Sequence, residues 1–596
     1  MKPKRREVGI VGCGMSRFSS HREEVNQPEM VHEAVVEALA DAGISMAEVD
    51  CVLHGNMELF EMVHQPDMWH ALGTGVPGKA GIRLTTGGTT GATLACAADN
   101  LVASGLHDFV LAIGFEKLQE GHATGGISNM ADPLWGRKLQ AGALTGTTAQ
   151  AVIDEFGAER ARNAAMKLRV IMDEHAMLND KAHRRFGLER QFIKEMADNS
   201  PPLVGELRMI HMCSQSDGAC AVIFASEEKI AEKGWNAAWI VDHETVHREE
   251  TLVFAREKTT HRVAAERLYA RNGITNPRAQ IDVFEMYDPS AWWGLDWIRE
   301  FLLLEGDEHL KMVENDEVAI TGSFPINPSG GVMASNPIGA TALVRVAEAA
   351  LQVRGAAGQH QVPKPVNLAL ASGFGGTLWT VLMLLSKDKP SREVSSTPHS
   401  PLQLAARNSQ PETRSPSPLQ LATRNSQLET NSSPNPQSAI HNPQSELILS
   451  RQVLSIPQRF ATGPIMGRFL RELRDNKRIL ALRCKKNGRF LLPPREVDAW
   501  SMTEGDEWVE VGPEGAVRDF DIVYYASPDP LTGETREVPY VIAWIQLDGV
   551  EGDAPLWHLL KVDDLAQVHS GLRVRAVFAE HRHGAMEDIQ HFEALP

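Results

Sequence analysis

The first place to look for chemistry is Tyr287 and Asp288, which follow an apolar, strand-like run at 283–286. Tyrosine is scarce, because only five occur among the 596 residues. A phenol at the end of a buried strand can hydrogen-bond a carbonyl oxygen, or take a hydroxyl proton if its pKa is lowered. Asp288 could orient its neighbours, or it could cap the helix that the following proline would begin. Each residue therefore has a functional and a structural interpretation.

Further polar side chains lie in turns. Thr89 and Thr90 belong to a Gly-Gly-Thr-Thr-Gly run that opens a predicted helix. Their hydroxyls could polarise a substrate, but capping the free amides of that helix is the simpler interpretation. Asn336, in a Ser-Asn-Pro sequence, could donate an amide hydrogen to a developing oxyanion or simply serve the turn. Ser372 carries a hydroxyl, but the sequence provides no base for it.

The elements that must position these residues lie between about 5 and 387, where strand-like and helical patterns alternate. Such alternation predicts a layered α/β fold. The main predicted strands are 8–12, 109–112, 219–224, 283–286 and 366–371, and the main predicted helices are 29–42, 93–104, 160–178 and 340–354.

Composition excludes several classes of protein. The 59 basic and 77 acidic residues give a net charge of −18, which argues against a general nucleic-acid binder and against anchoring on an anionic membrane. No apolar run approaches the ~20 residues of a membrane span, and the apolar stretch 8–11 is too short for a signal peptide. The six cysteines form no C-x-x-C pair. We therefore expect a cytoplasmic protein with reduced thiols.

The composition changes near residue 389, where Ser, Pro, Asn and Gln become abundant. A tandem repeat occurs there, with SPLQLAARNSQPET at 400–413 and SPLQLATRNSQLET at 417–430. Because such a stretch has too few apolar residues to form a core, it is predicted to be a disordered linker. The predicted domains are therefore residues 1–388, the linker 389–456, and residues 457–596. The last segment has a predicted amphipathic helix and several short strands, which suggests a small barrel.

Motifs at 87–91, 109–116, 216–219, 283–288, 327–331, 335–341 and 373–376, in this order, resemble the thiolase superfamily. The Tyr-Asp pair makes the chain most similar to the lipid-transfer-protein-like thiolases. The resemblance implies a layered αβαβα fold of two similar halves, a homodimer, and an acyl-CoA substrate. It also implies that Gly88, Thr89, Thr90, Ser372 and Gly373 line the substrate site.

The chain departs from the family at three catalytic positions. The nucleophilic cysteine is replaced by Gly88, the activating histidine by Asn336, and the second cysteine by Ala371 or Ser372. Glycine cannot attack an acyl group and asparagine does not titrate near neutral pH, so an acyl-cysteine at the usual position is excluded. The remaining candidates for catalytic roles are Tyr287, Asn336 and Asp288.

Other conspicuous residues have simpler interpretations. Cys96, Cys213 and Cys220 are expected to be packed core thiols, because free cysteine is usually buried. His175 matches a position common to thiolases and is expected to be structural. The tryptophans at 292, 293 and 297 have helical spacing and favour a core position, although an aromatic wall would suit a bulky acyl group.

Residues 463–593 resemble the OB-fold proteins that accompany such thiolases as separate subunits. The resemblance implies an intramolecular contact between the fused OB-fold domain and the thiolase-like domain. These proteins usually carry a four-cysteine zinc ribbon, but here only Cys484 remains, with Asn487, Asp498 and Ser501 at the other positions. Structural zinc requires Cys or His ligands, so the ribbon is degenerate. We expect no cofactor, with coenzyme A present only as part of the substrate.

Three functions are compatible with these features. The first is carbon–carbon cleavage of a β-hydroxyacyl-CoA by a retro-aldol reaction, which needs a proton acceptor and a stabilised enolate but no nucleophilic cysteine. The second is a thiolase-type acyltransferase with a displaced nucleophile. The third is a non-catalytic subunit that binds or presents acyl-CoA. The sequence favours the first.

The degenerate ribbon gives a direct prediction. Purified full-length protein should contain far less than one zinc per chain, because one thiolate with amide, carboxylate and hydroxyl ligands binds zinc poorly. Elemental analysis after dialysis checks this, and stoichiometric zinc would overturn it.

Overall fold

The computed structural model describes most of the chain outside the predicted linker. The described residues are 5–121, 146–247, 259–375, 379–390 and 461–596, apart from 59, 61, 62, 64, 205, 496, 499–502, 524–536, 538 and 553. The predicted linker, except its first two residues, therefore lies outside the described residues, as does Ser501.

A nine-stranded sheet carries the first 390 residues. Its first five strands lie in the order β3-β2-β4-β7-β1, with the bounds β1 (Val8–Met15), β2 (Cys51–Gly55), β3 (Ala80–Arg83), β4 (Phe109–Lys117) and β7 (Asp217–Ser226). A separate small hairpin is formed by β5 (Pro202–Val204) and β6 (Leu207–Arg208). The remaining strands of the large sheet follow in the order β8-β11-β10-β9, with the bounds β8 (Ala238–His247), β9 (Val283–Glu285), β10 (Leu368–Gly375) and β11 (Trp379–Ser386).

The two parts of this sheet repeat one pairing pattern. In the first, β1 pairs antiparallel with β7, β7 antiparallel with β4, and β4 parallel with β2. In the second, β8 pairs antiparallel with β11, β11 antiparallel with β10, and β10 parallel with β9. A short antiparallel pairing of β1 with β8 joins them. This repetition confirms the prediction of two similar α/β halves.

Helices cover both faces of the sheet. They are α1 (Gln27–Ala42), α2 (Asp67–Thr74), α3 (Thr90–Ala103), α4 (Gly146–Phe156), α5 (Ala158–Ala176), α6 (Ile193–Asn199), α7 (Glu227–Lys233), α8 (Thr260–Arg271), α9 (Pro277–Gln280), α10 (Ala291–Leu302), α11 (Glu308–Glu314), α12 (Gly331–Ala334) and α13 (Ile338–Arg354). Side chains alternate along β4, so Leu111 and Ile113 pack in one core with α1 while Val110 and Ala112 pack in another with α3 and α13.

The inner helices α3 and α13 are buried along most of their length. In α13, 14 of the 17 residues are buried. The two helices approach closely at Gly91, where an added Cβ would lie 2.2 Å from the backbone nitrogen of Leu343. Similarly, a Cβ on Gly114 would lie 2.9 Å from the Cα of Ala340. Glycine is needed at both positions because the backbones themselves are in contact.

The C-terminal part has its own core. It begins with α14 (Gly463–Asn476) and contains β12 (Ile479–Arg483), β13 (Phe490–Leu491), β14 (Val497–Asp498), β15 (Thr503–Glu504) and β16 (Glu507–Val511). A closed barrel follows in the order β17-β18-β19-β21-β20, with β17 (Glu514–Val523), β18 (Tyr540–Leu547), β19 (Leu556–Lys561), β20 (Arg573–Phe578) and β21 (Ile589–Ala594). Phe469 and Leu473 of α14 pack against the barrel interior. The predicted small barrel is confirmed.

The C-terminal part contacts the N-terminal half through the residues that precede α14. The backbone N–H of Ala461 donates to Glu120 Oε1 over 3.1 Å. None of the helices in the described residues has both the length and the apolar character that crossing a membrane requires.

Candidate active site

The candidate site forms where the N-terminus of α3 meets β10 and the end of β9. A Cβ built on Gly88 would lie 2.3 Å from the carbonyl oxygen of Phe374 and 3.2 Å from the hydroxyl of Tyr287. The space that the family's nucleophilic side chain would need is therefore taken by the backbone of β10. The phenol of Tyr287 points to the same place, so a weakly acidic hydroxyl stands beside the position of the missing thiol.

Tyr287 is fixed by a backbone hydrogen bond and by a contact of its ring. Its backbone N–H donates to the hydroxyl of Ser372 over 2.9 Å, and its ring lies 5.9 Å from that of Phe374. Burial raises the pKa of Tyr287 well above its usual range, while a side-chain hydrogen bond with Thr341 acts in the opposite direction. The phenol is therefore protonated at neutral pH, and it can donate a hydrogen bond rather than accept a proton.

Asn336 is fixed in one orientation just before α13. Its Oδ1 accepts a hydrogen bond from the Thr341 hydroxyl over 2.8 Å, and its Nδ2 donates to the sulfur of Cys213 over 3.3 Å. Its backbone N–H donates to the hydroxyl of Ser216 over 3.1 Å. An amide nitrogen carries two hydrogens, so one remains available for an oxygen of a ligand. Thr341 bonds Asn336 and also lowers the pKa of Tyr287, so it affects both residues.

Asp288 does not cap the helix that follows it, so that interpretation was wrong. Ser290 is the N-cap of α10, which begins at Ala291, and its hydroxyl accepts the Trp293 N–H. Asp288 Oδ1 instead accepts the N–H of Val332 in α12 over 2.7 Å, while Oδ2 is buried with no hydrogen-bond partner among the described residues. Burial raises the pKa of Asp288 to about 7. A carboxyl group with this pKa can exchange a proton at neutral pH.

A network of buried charges supports the strand that leads to this site. Arg345 of α13 donates to Glu285 Oε2 over 2.6 Å and to the Ser329 hydroxyl over 2.7 Å. The Ser329 hydroxyl also donates to Glu285 Oε2 over 2.7 Å, and all three side chains are buried. Buried charges persist only when they are paired and hydrogen-bonded. The network therefore fixes β9, and with it Tyr287 and Asp288, against α13.

The other predicted substrate-lining residues lie around the same point. The hydroxyls of Thr89 and Thr90 each donate over 2.6 Å, to the carbonyls of Thr86 and Gly87. The Thr90 hydroxyl also accepts the backbone N–H of Thr86 over 2.9 Å. Both threonines thus bond to the preceding turn, and the prediction that they cap amides of the helix was wrong. A Cβ on Gly373 would lie 2.9 Å from Ala92 Cβ, so this glycine permits close packing of β10 on α3.

Aromatic rings continue from Tyr287 through Phe374. The ring of Phe374 lies 5.3 Å from Trp293 and 4.7 Å from Trp297, which stack on each other at 5.2 Å. Both tryptophans are buried, as a core position requires, yet their contact with Phe374 places them beside the site. Trp292 points elsewhere and donates from Nε1 to His211 Nδ1 over 3.2 Å.

Two further expectations concern His175 and the cysteines. His175 Nδ1 bonds the carbonyl of Asn327 at 2.9 Å, and burial lowers its pKa to about 4, which agrees with a structural role. Cys96 and Cys220 are buried, as expected for core thiols. Cys213 is partly buried and packs against the edge of the main core, as expected, but its sulfur also contacts Asn336.

Sequence reasoning missed the connecting groups of the site. Thr341 and Ser216 lie inside motifs that were recognised. Nothing in the sequence indicates that the Thr341 hydroxyl bonds the side chain of Asn336, or that the Ser216 hydroxyl bonds the backbone N–H of Asn336. Cys213 stands three residues before Ser216, and this proximity was the available signal. In the C-terminal part, Cys484 is buried, and no group of three or more His, Cys, Asp or Glu side chains in the described residues could hold a metal.

Restoring the family residue at position 88 should not restore the family chemistry. We expect Gly88→Cys to lower the free energy of unfolding by about 1–3 kcal/mol, the usual cost of overpacking, because its Cβ would meet the Phe374 carbonyl. Urea unfolding measures this, with Asn100→Cys on the exposed side of α3 as the matched control. A stable Gly88→Cys protein that forms an acyl-enzyme with acyl-CoA would contradict the described geometry.

The raised pKa of Asp288 predicts a pH-dependent contribution to stability. Below about pH 4 the carboxyl is protonated in both states, and as the pH rises to about 7 the unfolded chain loses its proton first. Stability should therefore decline over this window, and Asp288→Asn should remove about 2 kcal/mol of the decline between pH 5 and 8. Urea unfolding at both pH values checks this, and the exposed Asp180→Asn is the control. An unchanged pH dependence in Asp288→Asn would refute the assignment.

Comparison with known proteins places this geometry in a family. Residues 8–186 match the family described as thiolase, N-terminal domain, and residues 238–387 match the one described as thiolase C-terminal domain-like. Residues 508–579 match the family described as ChsH2, C-terminal OB-fold domain.

Individual relatives agree. An acetyl-CoA acetyltransferase of Methanocaldococcus jannaschii is 30% identical over 409 residues, which cover 64% of this chain and 100% of that protein. Sterol carrier protein 2 of Oryctolagus cuniculus is 27% identical over 388 residues, covering 62% of this chain and 70% of that protein. The solved Ltp2-ChsH2(DUF35) aldolase has the same fold, with a TM-score of 0.53 and 22% identity over 65% of this chain and 100% of its own. The chain therefore belongs to the thiolase superfamily and carries a fused C-terminal OB-fold domain of the ChsH2 type.

Proposed function

We propose that the chain cleaves the Cα–Cβ bond of a β-hydroxyacyl-CoA by a retro-aldol reaction, with no acyl-cysteine intermediate. The observation that carries the proposal is the position of the Tyr287 hydroxyl, which lies beside Gly88, where the nucleophile is missing. The carbonyl of Phe374 leaves no room for a side chain at Gly88. The aldolase activity of the solved protein with the same fold supports it. Retro-aldol cleavage needs hydrogen-bond donors and a proton acceptor, and the site contains both.

In the proposed reaction, Asn336 and Tyr287 act as donors. The free hydrogen of the Asn336 amide binds the thioester oxygen and stabilises the enolate that forms there. Tyr287 donates its phenolic hydrogen to the β-oxygen, because its raised pKa keeps it protonated. Donors fixed before the reaction stabilise developing charge without having to reorganise, and the bonds to Ser372 and Thr341 provide that fixation.

The proton of the β-hydroxyl goes to Asp288, directly or through one water. The Asp288 carboxyl suits this role because its pKa is about 7 and its Oδ2 has no hydrogen-bond partner in the described residues. Loss of that proton lets the β-oxygen become a carbonyl as the Cα–Cβ bond breaks. The ketone or aldehyde leaves, and a shorter acyl-CoA is formed when the enolate takes up a proton.

The alternatives are less well supported by the site. A displaced nucleophile would have to be Cys213, since it contacts Asn336, but burial raises its pKa to about 11 and leaves it a neutral thiol at pH 7. A non-catalytic acyl-CoA-binding subunit gives no reason for an ordered Tyr287, Thr341 and Asn336. The homodimer, the cytoplasmic location and the absence of any cofactor besides substrate coenzyme A stay predictions.

The deciding experiment is mass spectrometry of products from the full-length protein with two panels of substrates. One panel holds β-hydroxyacyl-CoA thioesters without free CoA, including branched, aromatic and steroidal acyl groups. The other holds β-ketoacyl-CoA thioesters with CoA. Cleavage of the first panel to a carbonyl compound and a shorter acyl-CoA supports the proposal. CoA-dependent cleavage of the second supports the acyltransferase, and silence in both with tight acyl-CoA binding supports the non-catalytic subunit.

Removal of one hydroxyl should separate catalysis from folding. Tyr287→Phe should lower kcat by about 10²-fold or more, because the donor to the β-oxygen is lost while the ring packing stays. Tyr269→Phe is the matched control, since the buried Tyr269 hydroxyl donates to the carbonyl of Phe301, outside the site. The control should retain activity with a small loss of stability. Full activity in Tyr287→Phe would remove this residue from the mechanism.

A further inference from the structure

The reaction above assigns no task to Cys213, although its sulfur contacts Asn336 in the candidate site. All six cysteines lie in the described residues, and five of them are buried, whereas Cys213 is partly exposed. Its sulfur accepts the hydrogen bond from Asn336 Nδ2 at 3.3 Å. The thiol is thus beside the amide that is proposed to bind the thioester oxygen, and the α-carbon of a bound acyl-CoA lies two bonds from that oxygen.

The segment that carries Cys213 is fixed by three hydrogen bonds. Arg169 Nε donates to the carbonyl of Ile210 over 3.1 Å, and Arg184 Nη1 donates to the carbonyl of Met212 over 2.8 Å. The backbone N–H of Cys213 donates to the carbonyl of Pro289 over 3.0 Å, which ties the segment to the chain just after Tyr287 and Asp288. These bonds fix the backbone around Cys213, so the thiol is positioned before a substrate binds.

The charges around the thiol favour its loss of a proton during a reaction. Arg184 has no carboxylate partner among the described residues, and its guanidinium acts on Cys213 to lower the thiol pKa. Desolvation raises the pKa of the thiol most and the Asp288 carboxylate raises it further, so the thiol is protonated at rest, although the Asn336 amide also lowers the pKa. Arg184 is partly buried and also donates to the carbonyl of Met212, so a positive charge lies near the thiol in a partly desolvated place. This charge would stabilise the thiolate that remains after proton transfer.

We infer that Cys213 is the acid that protonates the α-carbon of the enolate after carbon–carbon cleavage. This inference rests on the proposed retro-aldol function. The S–H bond breaks as the Cα–H bond forms, and the electron pair of the enolate moves into the new bond. The negative charge passes from the thioester oxygen to the sulfur, between Asn336 and Arg184. Because Cys213 is partly exposed, solvent or the protonated Asp288 can return the proton.

The inference can be tested by a measurement that does not depend on carbon–carbon cleavage. An enzyme that protonates an enolate at the α-carbon also removes that proton in the reverse direction, so it exchanges the α-hydrogens of a saturated acyl-CoA. Full-length protein is incubated with acetyl-CoA and butyryl-CoA in D2O, and deuterium uptake is followed by mass spectrometry. We expect exchange by the unmodified protein, and a fall of about 10²-fold or more in Cys213→Ala.

Controls separate a catalytic role from a structural one. Cys96→Ala, which removes a thiol of α3 away from the site, should exchange at the unmodified rate. If Cys213→Ala does not fold, methyl methanethiosulfonate on the unmodified protein replaces it as the test, because the other five cysteines are buried, Cys213 is partly exposed, and a reducing agent removes the cap. Exchange should then stop and recover.

The outcomes distinguish this inference from the proposed function. Exchange by the unmodified protein that persists in Cys213→Ala, or after capping, overturns the role of Cys213 and leaves the retro-aldol proposal untouched. No exchange by the unmodified protein also overturns it. Exchange that requires Cys213 in a protein that cleaves none of the β-hydroxyacyl-CoA panel refutes the proposed function, yet supports Cys213 as the α-carbon acid.

Discussion

The contact between the two inner helices is the constraint on which the site depends. Both α3 and α13 are enclosed by the sheet and by each other, so small residues must let their backbones meet, as Gly91 does against Leu343. Two helices whose backbones touch cannot easily shift along each other, because the close-packed interior leaves no space for the shift. The N-termini of both helices are therefore fixed, and Gly88 and Asn336 lie at them.

A buried ion pair also fixes the strand that carries the site residues. The bond between Arg345 and Glu285 connects α13 to β9, and the residue pair at the end of β9 is Tyr287 and Asp288. The same enclosure that makes such an ion pair necessary also determines proton affinities in the site. It raises the pKa of Asp288 to about 7 and that of Cys213 to about 11, so the Cys213 thiol is protonated at neutral pH. Structure and reactivity therefore share one cause.

The loss of the nucleophile is not a simple deletion. The carbonyl of Phe374 and the phenol of Tyr287 converge on Gly88, so the backbone and a hydroxyl have taken the space of a side chain. What is left is a set of neutral donors fixed by Thr341 and Ser372. Such a set can stabilise an enolate or a β-oxygen, but it cannot carry an acyl group. The scaffold of a covalent enzyme thus suits a reaction without a covalent intermediate.

The sequence by itself determined the fold class, the two halves, the C-terminal barrel and the absence of a nucleophile at position 88, because periodicity and motif order are local properties of the chain. It also indicated Tyr287 and Asn336. Only the tertiary structure decided which groups connect them, since Thr341, Ser216 and Cys213 are brought together by packing between segments distant in sequence. Proton affinity was likewise undecidable from sequence. The helix cap assigned to Asp288 was wrong because the helix begins two residues later than predicted, with Ser290 as its N-cap. The pKa of the Asp288 carboxyl depends on burial that no local pattern records.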